Sequence, residues 1–409
     1  MIKDLIAREI LDSRGNPTVE VDLITDSNKC YRASVPSGAS TGSREALELR
    51  DKESSRYHGK GVLTAVDNVN NIIKPNIVGK KIDVLTVDNI MKELDGTKNK
   101  VKLGANAMLA VSLATLKAAA GEDNVELWEY LATSKVSLPI PMMNLINGGA
   151  HADSGLSIQE FMVVPVVKTF KERVRAGSEI FHSLKELLKK DGFQVSVGDE
   201  GGFAPHLEKC EDALSYIVKA IELPGYVPGK DVFIALDVAA SEFYNSDTKM
   251  YKFDNKIISS RDLLRYYSEI VDKYPIISIE DPFHEDDFDS LRIMTSLLGD
   301  RIMIVGDDFF VTNKEYLQKG IDNNAGNAII IKANQIGTVS ETIDTLLLAK
   351  KHDYIPIISH RSGETEDTFI SDFAVGLNIP YIKTGSLSRG ERISKYNQLI
   401  RIEEKLLKR

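Results

Sequence analysis

Apolar and polar positions alternate in two different textures along the first third of the chain. Residues 5–35 carry short β-leaning runs, PTVEVDLITD and then CYRASV, separated by the turn-rich Asp26-Ser27-Asn28, which predicts an antiparallel meander. From about Arg44 to Ala132 the spacing becomes helical, punctuated by Pro75 and several glycines. The apolar stretch from Ala105 to Ala120 contains Asn106, Ser112, Thr115 and Lys117, so it predicts a buried, Ala-rich helix rather than a membrane span. Near Ser134–Pro141 the helical period stops and Pro139 and Pro141 stand close together. A boundary is expected there, with a meander-plus-helix domain over 1–134 and a larger domain over 135–409.

Beyond it, β-branched apolar runs recur and end in polar residues: VFIALD at Asp237, PIISIE at Glu280, IMIVGD at Asp307, AIIIK at Lys332, IPIISH at His360 and YIK at Lys383. Successive end residues lie 43, 27, 25, 28 and 23 positions apart, with amphipathic helical texture between them. This is the rhythm of βα units, whose parallel strands are buried on both faces and read as continuous apolar runs. Such units close into a barrel, although an open doubly wound sheet has the same local texture. In both, a ligand sits at the carboxyl ends of the strands.

Composition narrows the class. A chain of 409 residues with 43% hydrophobic and 27% charged residues has ample material for a barrel and a smaller domain. A net charge of −9 argues against nucleic acid as the primary partner, because phosphate-backbone binding needs clustered Lys and Arg. A local cationic pocket for a small anion remains compatible. Cys30 and Cys210 are the only cysteines, which supports neither a disulfide framework nor a thiolate metal site. Lys3, Asp4, Arg8 and Glu9 interrupt the N-terminal apolar residues as no signal peptide would, so a cytoplasmic location is expected.

The strand-end residues carry the chemistry. Asp237, Glu280 and Asp307 would bring three carboxylates around one point, a repulsive arrangement unless a cation is present, and hard oxygen ligands favour Mg²⁺. Each acid alone reads equally as a helix cap or a partner of a nearby lysine. Lys332 and Lys383, with His360-Arg361-Ser362-Gly363 between them, make the other side of the same mouth cationic. That asymmetry suits a phosphorylated carboxylic acid: Arg361 and Ser362 offer phosphate donors, and a nearby cation lowers the pKa of a lysine acting as base. Asp199 and Glu200 precede Gly201-Gly202, a pairing that lets a backbone approach a ligand closely, though an Asp-Glu surface turn is the simpler reading. Gly148-Gly149-Ala150-His151 and Gln159-Glu160 are comparable signals, and a lone His such as His151 is ordinarily structural.

With these residues in view, the chain resembles the enolase family, bacterial type, over nearly its whole length. The resemblance lies in DSRGNPTVE at 12–20, PSGASTGSREALELRD at 36–51, GANAMLAVSLA at 104–114, NGGAHA at 147–152, IQEFM at 158–162, GDEGGFAP at 198–205, DVAASEFY at 237–244, SIEDPF at 278–283, GDDFFVTN at 306–313, IKANQIGT at 331–338, SHRSGETEDTFI at 359–370 and KTGSLSRGERISKYNQLIRIEE at 383–404. It implies an N-terminal α+β domain before a modified (β/α)₈ barrel whose second strand runs against the others. It implies a glycolytic lyase, a phosphopyruvate hydratase interconverting 2-phosphoglycerate and phosphoenolpyruvate.

The resemblance assigns Asp237, Glu280 and Asp307, rather than Asp281 or Asp308, to a first Mg²⁺. Ser40 would help hold a second Mg²⁺ that arrives with substrate. Lys332 would be the general base and Glu200 the general acid, with Glu160 assisting it and His151 entering on a mobile loop. Gln159, His360, Arg361, Ser362 and Lys383 would bind substrate. A homodimer is implied, assembled into an octamer in some bacterial relatives. Ser157 replaces an Asp frequent in bacterial members, and the tail after IRIEE is short; neither removes a catalytic side chain. The alternatives are another sugar-acid lyase of the wider superfamily and a non-catalytic scaffold.

Overall fold

The computed structural model describes residues 1–39, 41–152 and 154–408. The N-terminal runs form the expected meander: β1 (Ile2–Leu11), β2 (Pro17–Thr25) and β3 (Cys30–Ser34) pair antiparallel in that order. Alternation places Val19, Val21 and Leu23 in the core, where the buried helix Ala105–Glu122 covers the sheet. That helix is apolar on nearly all sides, as its sequence requires, and Asn106 escapes the cost of burial by exchanging hydrogen bonds with the Leu49 backbone. No helix among the described residues is long and apolar enough to cross a membrane.

The stretch after Arg44 departs from the expected helix. Residues 44–56 are irregular, a single 3₁₀ turn follows at Tyr57–Gly59, and α-helix begins only at Leu63. Their charges are used across the domain contact instead: Arg44 bonds the Glu285 carbonyl, and Glu45 reaches Arg361. Tertiary pairing has overridden a helical propensity.

Eight strands close the barrel. In chain order they are β4 (Ile140–Asn147), β5 (Glu160–Pro165) and β6 (Val232–Asp237), then, after the small sheet of β7 (Tyr244–Asn245), β8 (Met250–Phe253) and β9 (Lys256–Ile258), the strands β10 (Ile276–Glu280), β11 (Met303–Gly306), β12 (Ala328–Ile331), β13 (Ile355–Ser359) and β14 (Tyr381–Lys383). The last strand, β14, pairs with the first, β4, and closes the ring, which excludes the open doubly wound sheet. β5 runs antiparallel to both β4 and β6, so the second barrel strand is reversed. Met142, Met162, Val164, Val305, Ile330 and Ile357 pack the interior beneath the mouth, giving the site a rigid floor.

Among the contacts that fix the meander domain against the barrel, two lie at its backbone and at a buried acid. Ser37 and Gly363 exchange backbone hydrogen bonds at 2.8 Å each, and Asp88 accepts one from Ser340 N at 2.9 Å, at the start of the helix Val339–Lys351. Burial pushes the Asp88 carboxyl up to about 6, outweighing the opposite pull of Ser112 and Ser340. The raised value means that the folded state holds the proton more tightly than the unfolded chain. Its contribution to stability is therefore complete below about pH 4 and lost as pH rises through about 6. Asp88→Asn is expected to stabilise the protein at pH 8 by something on the order of 3 kcal/mol, the difference fading by pH 4. Thermal melts across that range check this, and a gain that did not shrink on acidification would contradict it.

Candidate active site

Strand register builds the acidic wall. Glu160 pairs with Asp237 across β5 and β6, and Glu280 with Asp237 across β10 and β6, so three neighbouring strands present carboxylates at one level. All three are buried. Lys383, ending β14, places its Nζ among them: 2.7 Å from Asp237 Oδ2, 2.9 Å from Glu280 Oε2 and 3.1 Å from Glu160 Oε1. Burial alone would depress the Lys383 ammonium, but the surrounding carboxylates hold its pKa well above the usual lysine range. Gln159 packs beside this row, its Nε2 3.4 Å from Asp237 Oδ2.

Asp307 follows β11 and pairs with Lys332, which follows β12. Gln335 Nε2 donates to the other Asp307 oxygen at 2.8 Å, and Thr312 Oγ1 donates in turn to Gln335 Oε1 at 2.7 Å, fixing the carboxylate plane. The lowered pKa expected of a lysine acting as base presupposes a cation beside it. Burial pulls Lys332 down, yet its pairing with Asp307 prevails and raises it. Carboxylates outnumber cations here, so the lowering requires a further positive charge.

Asp281 and Asp308 also crowd Asp307, the three offering oxygens within 4.8 Å of one another. Both Asp281 oxygens are already spent, accepting the backbone N–H groups of Asp307 and Asp308 at 2.8 Å. Its role is to shape the turn after β11. The donor chemistry of Asp237, Glu280 and Asp307 fits a hard divalent cation: all three offer oxygen, and a single cationic nitrogen already draws two of them together. Neither cysteine competes, since Cys30 is exposed and Cys210 is buried against Asp254.

The opposite wall comes from loops. Glu200 is buried, accepts from Asn144 Nδ2 at 3.0 Å, and lies 3.5 Å from both His151 Nδ1 and His360 Nε2. His151, Glu160 and Glu200 offer atoms within 4.8 Å of one another, close enough for the two acids to contend for one proton. Burial and the Glu200 charge push Glu160 up to about 8. Burial pushes Glu200 the same way, but His151, His360 and Arg392 together outweigh it and hold Glu200 well below the usual carboxylate range. The two acids thus share one proton, which Glu160 holds the more tightly.

Gly201, at φ +87°, explains the position of this loop: a Cβ there would stand 2.7 Å from the Ser388 carbonyl oxygen. The close approach is to the protein's own backbone, not to a ligand as its sequence suggested.

Arg361 and Ser362 follow β13. Arg361 meets Glu45 at 2.9 and 3.1 Å and Asn334 Oδ1 at 3.0 Å, and Ser362 Oγ accepts from Ala39 N at 2.6 Å. The N-terminal segment therefore organises this end of the cavity. Ser40 lies outside the described residues. One narrow polar cavity is lined by His151, Gln159, Glu160, Glu200, Asp237, Asp307, Lys332, His360, Arg361, Ser362 and Lys383, so nearly all the residues expected from the sequence converge there. Glu280 stands just behind it, on Lys383.

Glu45, Asn144, Gln335 and Arg392 were not singled out from the sequence. None ends a strand, and each acts by gripping a neighbour rather than by facing the cavity. Glu45, Gln335 and Arg392 nevertheless lie inside the resemblance segments at 36–51, 331–338 and 383–404.

A closed α/β barrel with oxygen donors for a divalent cation, lysines and paired glutamates at its mouth defines a class: metal-assisted enzymes that move protons at an acidic carbon. Residues 2–131 match the family described as "Enolase, N-terminal domain", and residues 135–409 match "Enolase, C-terminal TIM barrel domain". The chain belongs to the enolase family. It is thereby a lyase of the enolase superfamily, with a small-molecule substrate and a divalent metal.

Proposed function

We propose that the protein catalyses the reversible, Mg²⁺-dependent dehydration of 2-phosphoglycerate to phosphoenolpyruvate. The observation that carries this reading is the single cavity in which Lys332, the Glu160/Glu200 pair and the anion-binding candidates Arg361, Ser362 and Lys383 face one another. Lys332 takes the proton from C2, and Glu200, supplied by the proton shared with Glu160, delivers one to the departing 3-hydroxyl. Arg361 and Ser362 hold the phosphate, while Gln159 and Lys383 orient the carboxylate end. His151 and His360 flank Glu200 and keep bulk water from it. Asp237, Glu280 and Asp307 would hold Mg²⁺, and Ser40 would contribute to a second ion; the positive charge held there would offset the second negative charge that forms beside the substrate carboxylate when C2 loses its proton.

Purified protein supplied with Mg²⁺ is expected to turn 2-phosphoglycerate into an ultraviolet-absorbing enol phosphate. EDTA should abolish the signal and excess Mg²⁺ restore it. Turnover indifferent to EDTA would rule out the metal's part. A homodimer and a cytoplasmic location belong to the same reading, and light scattering tests the first.

A further inference from the structure

Arg392, in the helix Gly390–Leu407, is a fully buried cation that does not line the cavity. Its Nε lies 3.3 Å from Glu391 Oε1, and its two Nη groups turn the other way, into the loops that build the site. Nη1 meets His360 Nδ1 at 2.5 Å and the Arg361 carbonyl at 2.6 Å, and Nη2 meets the Ser362 carbonyl at 2.7 Å and the Asp199 carbonyl at 3.2 Å. One planar fork thus binds both the segment after β13 and the strap that carries Glu200. Gly385, at φ +79°, makes room for it, since a Cβ there would stand 2.7 Å from Arg392 Cδ.

A guanidinium has only donors, so the His360 nitrogen it touches must offer a lone pair. The ring proton is then forced onto Nε2. That atom is buried, points to Glu200 Oε1 at 3.5 Å and has no hydrogen-bond partner among the described residues. A buried N–H left unmatched costs free energy unless a ligand or a shift of Glu200 satisfies it.

We propose that Arg392 is a positioning residue that locks His360 as the neutral Nε2–H tautomer and so aims one donor at the Glu200 carboxylate and the cavity beside it. Burial also holds the His360 imidazole well below its ordinary pKa, in keeping with a neutral ring. The catalytic consequence rests on Glu200 being the general acid; the tautomer itself does not.

Nitrogen NMR on the full-length protein with labelled histidine tests it, the His360 signals being assigned by their loss in His360→Gln. Wild type should show an unprotonated Nδ1 and a protonated Nε2. Arg392→Met should bring protonation onto Nδ1 and lower kcat about 30-fold with KM little changed, the scale of one lost charge-assisted hydrogen bond. Arg392→Lys, which keeps a donor, should retain the tautomer and recover part of the loss. A protonated Nδ1 in wild type, or a tautomer and kcat both unmoved by Arg392→Met, overturns the proposal. If Arg392→Met does not fold, the wild-type spectrum and Arg392→Lys decide. Wild type inactive on 2-phosphoglycerate would refute the function proposed above, while the spectrum would still judge the tautomer.

Discussion

Lys332→Ala is expected to lower turnover by about 10³-fold or more while the protein remains folded. A positioned general base accounts for roughly 10²–10⁴ of a rate, and the other lysine lining the cavity is not available to replace it: Lys383 is held by Asp237, Glu280 and Glu160. Asp307 loses its cationic partner in the variant but keeps the Gln335 hydrogen bond, and the barrel interior lies below the change. Far-ultraviolet dichroism should match wild type. Exchange of the C2 hydrogen with solvent should vanish together with dehydration, because both require the same proton transfer. Near-normal turnover in a folded variant would remove Lys332 from the role of base.

Glu200→Gln separates the two halves of the reaction. The amide preserves the shape and can still accept from Asn144 Nδ2, but it cannot deliver a proton to the 3-hydroxyl. Dehydration should fall by about 10³-fold. Solvent exchange at C2 should survive, since Lys332 is untouched on the opposite wall. Loss of both activities in parallel, with metal binding intact, would mean that Glu200 serves the first proton transfer as well, and the division of labour between the two walls would be wrong.

The barrel strands were legible because a parallel strand buried on both faces leaves an uninterrupted apolar run, and the polar residue that ends it marks the mouth. Asp237, Glu280, Lys332, His360 and Lys383 were found in that way. Closure was not legible: an open sheet has the same local pattern, and the pairing of the last strand, β14, with the first, β4, distinguishes them. The helical reading of residues 44–56 failed at its start because Arg44 and Glu45 are spent on partners some 240 to 320 positions away, Glu285, Asp286 and Arg361, which no local window contains. His151 is a similar case. Alone in its loop it reads as structural, and its meaning comes from Glu200, which folding brings to 3.5 Å. The electrostatic setting of the lysines was not legible either: the number of carboxylates around Lys332 and Lys383 is set by strand register, which sequence spacing does not reveal.

The central claim is the reaction, and product identification tests it most directly. Folded, Mg²⁺-replete protein is incubated separately with 2-phosphoglycerate, with glycerate and with an unphosphorylated sugar acid, and the products are read by proton and phosphorus NMR. The account predicts phosphoenolpyruvate from the first and no dehydration of the other two, because Arg361 and Ser362 would then have no phosphate to hold. Dehydration of the sugar acid in preference, or no product from 2-phosphoglycerate, would contradict it.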